Sequence, residues 1–222
     1  MGTLGNTASS TGYASFNLYG QMCGKVTMPV GGTVTKIAGR FDGDGGGSGT
    51  VYYKLSLWKA DGANNRPSTF LRATSEITVA YSGATTAWYE ADLTSPVAIT
   101  AADYWLVCSS NVGATWPRLM KDDATGIYSW CTGTAGNYAD PSSASWETGW
   151  GGLSNVSYLC IYATYGTPTL TTTAITAITA TSATSGGTIT NEGDSAVTQY
   201  GVVWATHTLP VIESDDHTHD KP

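Results

Sequence analysis

The chain has 222 residues, of which 41% are hydrophobic and 11% aromatic but only 12% charged, roughly half the usual charged share. That length holds one large domain, or a domain and a smaller module. The net charge of −7 is unevenly placed: residues 1–165 carry nine Lys/Arg against eleven Asp/Glu, and residues 166–222 carry one Lys against six acids. With no basic patch to neutralise phosphates, nucleic-acid binding is excluded as an expectation.

Twenty-seven glycines and many Thr and Ser predict a turn-rich, all-β chain with an extracellular type of surface. No apolar run approaches the length of a transmembrane helix, so no membrane insertion is expected. Met1 to Thr7 lacks a basic region and an apolar region, so it does not read as a signal peptide. The expectation is a trimmed secreted protein, or one made in a cytoplasm and released by lysis, as virion proteins are.

Residues 1–12 read as an extended lead-in. Tyr13 to Met28 predicts one or two short strands with Phe16, Leu18, Met22, Val26 and Met28 as apolar positions, and Pro29-Val30-Gly31-Gly32 predicts a turn. Thr33 to Phe41 reads as a half-buried strand with Ile37 and Phe41 on one face, Lys36 and Arg40 on the other. Asp42 to Gly49 predicts a hairpin tip. Val51 to Trp58 then returns with Val51, Tyr53, Leu55 and Leu57 inward and Lys54 and Ser56 outward.

After a loop over 59–68 come short strands at Phe70 to Arg72, Glu76 to Tyr81 and Trp88 to Leu93, and Pro96 to Thr100 leads into Asp103 to Cys108. This last stretch is the centre of the chain. Tyr104, Leu106 and Cys108 share one face and Trp105 and Val107 the other, so both faces are apolar and the strand should be covered on both sides. Ser157 to Ala163 predicts a second strand of the same kind. Strands at this spacing, with no stretch of helical period, argue for a sandwich.

The segments Gly32-Thr33-Val34-Thr35-Lys36-Ile37, Val51 to Trp58, Ser95 to Thr100, Tyr104-Trp105-Leu106 and Tyr158 to Tyr165 resemble the jelly-roll modules of phage tail and virion proteins and of bacterial surface proteins. The resemblance covers nearly all of 13–165. It implies a jelly-roll β-sandwich there and a virion or cell-surface setting. It bears only weakly on a ligand. Gly166-Thr167-Pro168 marks a boundary, after which 166–222 is rich in Thr and Ala. Ala180 to Thr190 followed by Tyr200-Gly201-Val202-Val203-Trp204 resembles the first half of a fibronectin type III-like module of immunoglobulin-like character. That module is read as incomplete, and is expected to be truncated, disordered or completed by a neighbouring chain.

All three histidines, His207, His217 and His219, lie beyond the first 165 residues. A Ser-His-Asp or Cys-His site in the main domain is thereby excluded. Glu76, Glu90, Glu147, Asp92, Asp103, Asp122, Asp123 and Asp140 could supply a glycosidase pair, but none stands in a catalytic motif, and the expectation is no enzyme and no cofactor. Asp42-Gly43-Asp44 fails the calcium-loop pattern, with Gly46 at the fifth position and Tyr53 at the twelfth. Asp215 to Asp220 reads as a solvated acidic loop rather than a metal site. The four cysteines, Cys23, Cys108, Cys131 and Cys160, fit no zinc spacing; buried thiols and disulfides both stay open, with thiols favoured in the strands.

The remaining signal is aromatic. Seven of eight Trp lie between residues 58 and 150, four of them (Trp116, Trp130, Trp146, Trp150) between the two apolar strands. Flat rings beside amide, carboxylate and guanidinium groups suit sugars, which need stacking and directional hydrogen bonds. Trp116, Arg118, Tyr138, Asp140, Trp146 and Trp150 are the candidate glycan-binding residues. Against this stands a plainer role: rings that pin long loops onto the sandwich, or that bury at a subunit interface. The expectation is therefore a non-enzymatic structural and adhesion protein of a virion or cell surface. Its expected partners are its own copies or other virion or filament subunits, with envelope glycans as ligand. The alternative is a secreted carbohydrate-binding module from a larger glycan-active enzyme.

Overall fold

The computed structural model describes residues 1–7, 12–14, 21–42, 49–61, 67–81, 86–111, 118–122, 128–131, 136–143, 158–193, 197, 199–211 and 216–218. In chain order its strands begin with β1 (Gly2–Gly5), β2 (Gly12–Ala14), β3 (Gln21–Met28), β4 (Gly32–Asp42), β5 (Gly49–Lys59) and β6 (Phe70–Ala73). There follow β7 (Ile77–Tyr81), β8 (Thr86–Ile99), β9 (Ala102–Ser110), β10 (Arg118–Asp122), β11 (Tyr128–Cys131), β12 (Tyr158–Leu159) and β13 (Ile161–Gly166). The last four are β14 (Thr169–Thr176), β15 (Thr184–Asn191), β16 (Val203–Trp204) and β17 (Asp216–His217). Helix among the described residues is limited to one turn, α1 (Gly136–Ala139), and a 3-10 turn, Pro141–Ser143. The protein is all-β.

Two antiparallel sheets face each other. In the first, here sheet A, β13 lies between β1 and β4, and β4 also pairs with β8. In the second, sheet B, β9 lies between β3 and β5, and β5 also pairs with β6 and β7. Taking β1, β3, β4, β5, β7, β8, β9 and β13 as eight successive strands, the sheet orders are first–eighth–third–sixth and second–seventh–fourth–fifth. That winding back and forth between two sheets is jelly-roll connectivity.

The apolar alternation of β9 explains its central place. Tyr104, Leu106 and Cys108 face the inter-sheet core, and Trp105 and Val107 face outward into a second cluster with Cys23 and Trp58. On β5, Val51, Tyr53, Leu55 and Leu57 point into the core as the alternation requires. Phe41 of sheet A meets Tyr53 of sheet B with ring centroids 4.3 Å apart, and Tyr89 edge-on at 5.9 Å. Such pairs add about 0.5–1.5 kcal/mol beyond area burial. Ser56 points outward yet is fully buried, accepting a 3.0 Å hydrogen bond from Trp58 Nε1.

Several expectations are corrected. Residues 2–5 are part of the sandwich: β1 pairs with β13 and buries Leu4. Gly5 sits at φ +119°, where a Cβ would lie 2.5 Å from the Ile161 carbonyl oxygen, so only glycine suits that crossing. No hairpin joins β4 to β5, since β4 belongs to sheet A and β5 to sheet B. The stretch read as a hairpin tip lies, over 43–48, outside the described residues. The strand expected over 157–163 divides at Cys160: β12 pairs with β10, whereas β13 pairs with β4. β8 runs unbroken through Pro96, which an edge strand tolerates because its outer N–H positions need no ladder partner. On β4 a bulge between Val34 and Lys36 puts Val34 and Ile37 both inward.

Cys23, Cys108 and Cys160 are buried as thiols; the side chain of Cys131 lies outside the described residues. In the C-terminal part, β14 pairs with β15 and β16 with β17, as two separate two-stranded sheets. The turn expected near residue 193 is present, with Gly193 at φ +78°.

Candidate functional site

Of the six candidate glycan-binding residues, Trp116, Trp146 and Trp150 lie outside the described residues. Arg118 opens β10 opposite Asp42 in the strand register, and its side chain is likewise outside the description. Tyr138 and Asp140 are placed, and both have structural partners. The Tyr138 hydroxyl donates to Glu76 Oε2, and Lys54 Nζ sits 5.1 Å from the Tyr138 ring centroid. Lys54 also donates to the Ala139 carbonyl at 3.1 Å. Burial, then the hydrogen bond to Glu76, pushes the Tyr138 hydroxyl well above its ordinary pKa.

Asp140 accepts from Ser142 N at 3.0 Å and from Ser142 Oγ at 2.6 Å. It is the cap of the short 3-10 turn, the role a short acidic side chain fills well. The Gly136–Ser143 segment is therefore tied to sheet B through Lys54 and Glu76, with Pro141 buried beneath it. Among the described residues, this part of the aromatic loop region pins loop to sandwich.

The outer face of sheet A is different. Three strands, β8, β4 and β13, lie side by side, and their registers set Arg40 opposite Trp88, Ala38 opposite both Glu90 and Tyr162, and Lys36 opposite both Asp92 and Thr164. Alternation sends Tyr89, Ala91 and Leu93 inward to the core. Trp88, Glu90 and Asp92 therefore face out. Trp88 and Tyr162 meet with ring centroids 4.9 Å apart and planes at 58°. Ala38, opposite Tyr162 and Glu90 in the register, is fully buried although its strand position faces outward. Lys36 Nζ bonds Glu90 at 2.9 Å and reaches Asp92 at 3.8 Å.

The electrostatics of this face follow from those contacts. The hydrogen bond to Glu90, with its charge and that of Asp92, raises the Lys36 pKa. Burial and the nearby Glu90 charge raise that of the Tyr162 hydroxyl. Arg40 has its Nε buried without a hydrogen-bond partner and takes part in none of the ion pairs among the described residues. Around the β8 edge a polar groove of 390 Å³ is lined by Lys36, Glu90 and Asp92 on one side and Glu76 and Thr78 on the other.

No protein-family model and no curated protein matches the chain. Among the described residues no group of three or more His, Cys, Asp or Glu is placed to hold a metal ion, and no helix is long and apolar enough to cross a membrane.

Reading along the sequence placed weight on the 111–152 region and passed over Trp88 and Tyr162. The signal was present in outline. In Trp88-Tyr89-Glu90-Ala91-Asp92 a Trp shares its parity with two carboxylates, and so must share their face.

The C-terminal part carries a second unusual surface. Leu170, Ile175, Ile178, Tyr200, Trp204, Leu209 and Val211 are between 45% and 85% exposed. Leu170, Ile189, Tyr200, Val202 and Val203 line a groove of 470 Å³ beside the β14–β15 and β16–β17 strand pairs.

Proposed function

We propose that the protein is a non-enzymatic structural and adhesion protein of a virion or cell surface. Its jelly-roll body, over 13–165 with β1 added, presents a glycan-binding surface. Residues 166–222, a fibronectin type III-like module after an inter-module boundary, engage neighbouring copies of the same chain in an assembly.

The observation that carries this reading is the apolar exposure of the C-terminal part. Seven large apolar side chains between Leu170 and Val211 stand open to solvent, around two two-stranded sheets that pair with no further strand among the described residues. Contiguous exposed apolar surface marks an interaction surface, and open edges accept further strands. Jelly rolls, for their part, serve as capsid and lectin domains. The outer face of sheet A also suits the alternative, a secreted carbohydrate-binding module, but the exposed C-terminal surface favours an assembling protein.

The test is light scattering of the full chain across a concentration series, beside a Trp204→Ser and Leu170→Ser double variant. The wild type is expected to self-associate and the variant to stay monomeric. A wild-type chain that is monomeric at high concentration, with its C-terminal part resistant to protease, would refute the assembly reading.

A further inference from the structure

We infer that the outer face of sheet A, centred on Trp88 and Tyr162, is a binding platform for a neutral polysaccharide. The inference rests on the adhesion half of the proposed function and gives it a site away from the 111–152 loops.

Three features of the face point to this ligand class. First, two partly exposed rings lie with centroids 4.9 Å apart, giving an apolar footing of the kind that sugar C–H faces stack on. Second, both hydrogen-bonding senses surround that footing. Lys36 and Arg40 donate, Glu90 and Asp92 accept, and a sugar hydroxyl does both. Third, neither sign of charge dominates, with Lys36 and Arg40 set among the exposed Glu90 and Asp92 and the buried Asp42 along β4 and β8, in a chain of net charge −7. A polyanionic glycan meets repulsion from the whole molecule, and a polycation finds only two carboxylates already shared with Lys36.

The face also has the right extent. It continues into the polar groove at the β8 edge, whose 390 Å³ lies within the roughly 300–1,000 Å³ of small-ligand clefts. One residue of a polysaccharide stacks on Trp88 while its neighbour reaches the groove. Arg40, whose guanidinium has no carboxylate partner among the described residues, takes ligand hydroxyl oxygens as acceptors. The strand register sets these side chains on one face before any ligand arrives, and the Lys36–Glu90 bond joins two of them.

The experiment is affinity gel electrophoresis of the full 222-residue chain through soluble neutral polysaccharides (hydroxyethylcellulose, glycol chitin, galactomannan). Trp88→Ala and the triple variant Trp116→Ala, Trp146→Ala, Trp150→Ala are run beside the wild type. Retardation of the wild type by at least one polymer is expected, with at least about tenfold weaker binding for Trp88→Ala, equivalent to about 1.4 kcal/mol, and retention by the triple variant. Retardation unchanged in Trp88→Ala overturns the platform and leaves the adhesion reading standing. No retardation of the wild type by any neutral polymer overturns both. Should Trp88→Ala fail to fold, the indole N–H resonance of Trp88 in the wild type, assigned with Trp88→Phe, decides. A shift on titration with the retarding polymer's hexasaccharide supports the platform, and an unmoved resonance overturns it.

Discussion

Tyr138 is the candidate ligand residue whose role can be tested most sharply, because its partners make a quantitative expectation. Tyr138→Phe removes the hydroxyl that donates to Glu76 and leaves the ring under Lys54. A hydrogen bond to a charged group is worth about 1.5–3 kcal/mol. Glu76 is exposed and Tyr138 only half-buried, so solvent screening brings the expected loss to about 1 kcal/mol. Tyr138→Ala also removes the cation–π contact, about 0.5–1 kcal/mol at exposed sites, for a total of about 2 kcal/mol. In a protein of this size each kcal/mol lowers the melting temperature by roughly 2–4 °C. The assay is urea and thermal unfolding of both variants, with Glu76→Gln and the Tyr138→Phe/Glu76→Gln pair closing a double-mutant cycle. The pH dependence gives an independent sign. The Tyr138 pKa is raised above its ordinary 10.0 in the folded state, so its stabilising contribution is complete below pH 10 and fades as the pH rises beyond it. Tyr138→Phe should flatten that alkaline loss. An unchanged stability combined with lost polysaccharide retention would show that Tyr138 serves a ligand and not the fold.

Other consequences follow from the core and the strand ends. Asp103 is bonded to Lys25 at 2.6 Å and to Thr27 at 2.6 Å, and the Lys25 bond foremost lowers its pKa below the ordinary 3.8. Its contribution is therefore present above about pH 4 and lost as the pH falls further. Asp103→Asn should cost about 1 kcal/mol near neutrality, and the stability difference between the two proteins should shrink as the pH falls. Phe41→Ala removes the ring joining the two sheets and should cost about 3–5 kcal/mol in denaturant unfolding; a loss below 1 kcal/mol would contradict the packing. Burial pushes the Cys108 thiol well up, so iodoacetamide should leave it unmodified in the native chain and label it on unfolding, as peptide mapping would read.

The two apolar faces of Asp103 to Cys108 were enough to place β9 at the centre of its sheet, and alternation gave the inward set of β5 without error. What alternation cannot supply is the identity of a strand's partner. β4, the glycine-rich stretch and β5 look the same whether the strands pair as a hairpin or cross between sheets, because the apolar parity of each is satisfied either way. The same limit hid the outer face of Ser56, which parity sends outward but which Trp58 and its neighbours cover. Tyr138 could not be read as a docking residue, since Lys54 on β5 and Glu76 just before β7 lie far away in sequence. Trp88 was legible in parity but not in company: Tyr162 reaches it only through β4, more than seventy residues on.

The two sheets consequently differ in what a substitution on their outer faces does. On sheet B the outward positions around the middle of β9 form a packed layer, while Thr27, Tyr52 and Thr78 on the same face stay exposed. Cys23, Trp58, Trp105 and Val107 are at most 1% exposed, and Gln21 and Ser109, buried as well, bond each other at 2.8 Å. Any change there disturbs packing or leaves a buried polar group without its partner, at about 1–3 kcal/mol. On sheet A the outward positions are solvated ion pairs and partly exposed rings, where exposed pairs contribute about 0–1 kcal/mol. A chain built this way can alter what it binds on sheet A while the core and the sheet B layer keep the fold. The 111–152 region has no such freedom where it is tied to sheet B through Lys54 and Glu76. Ligand specificity confined to Trp88, Tyr162 and their charged neighbours is thus separable from stability, and this is why the platform variants should lose binding at a small cost in melting temperature.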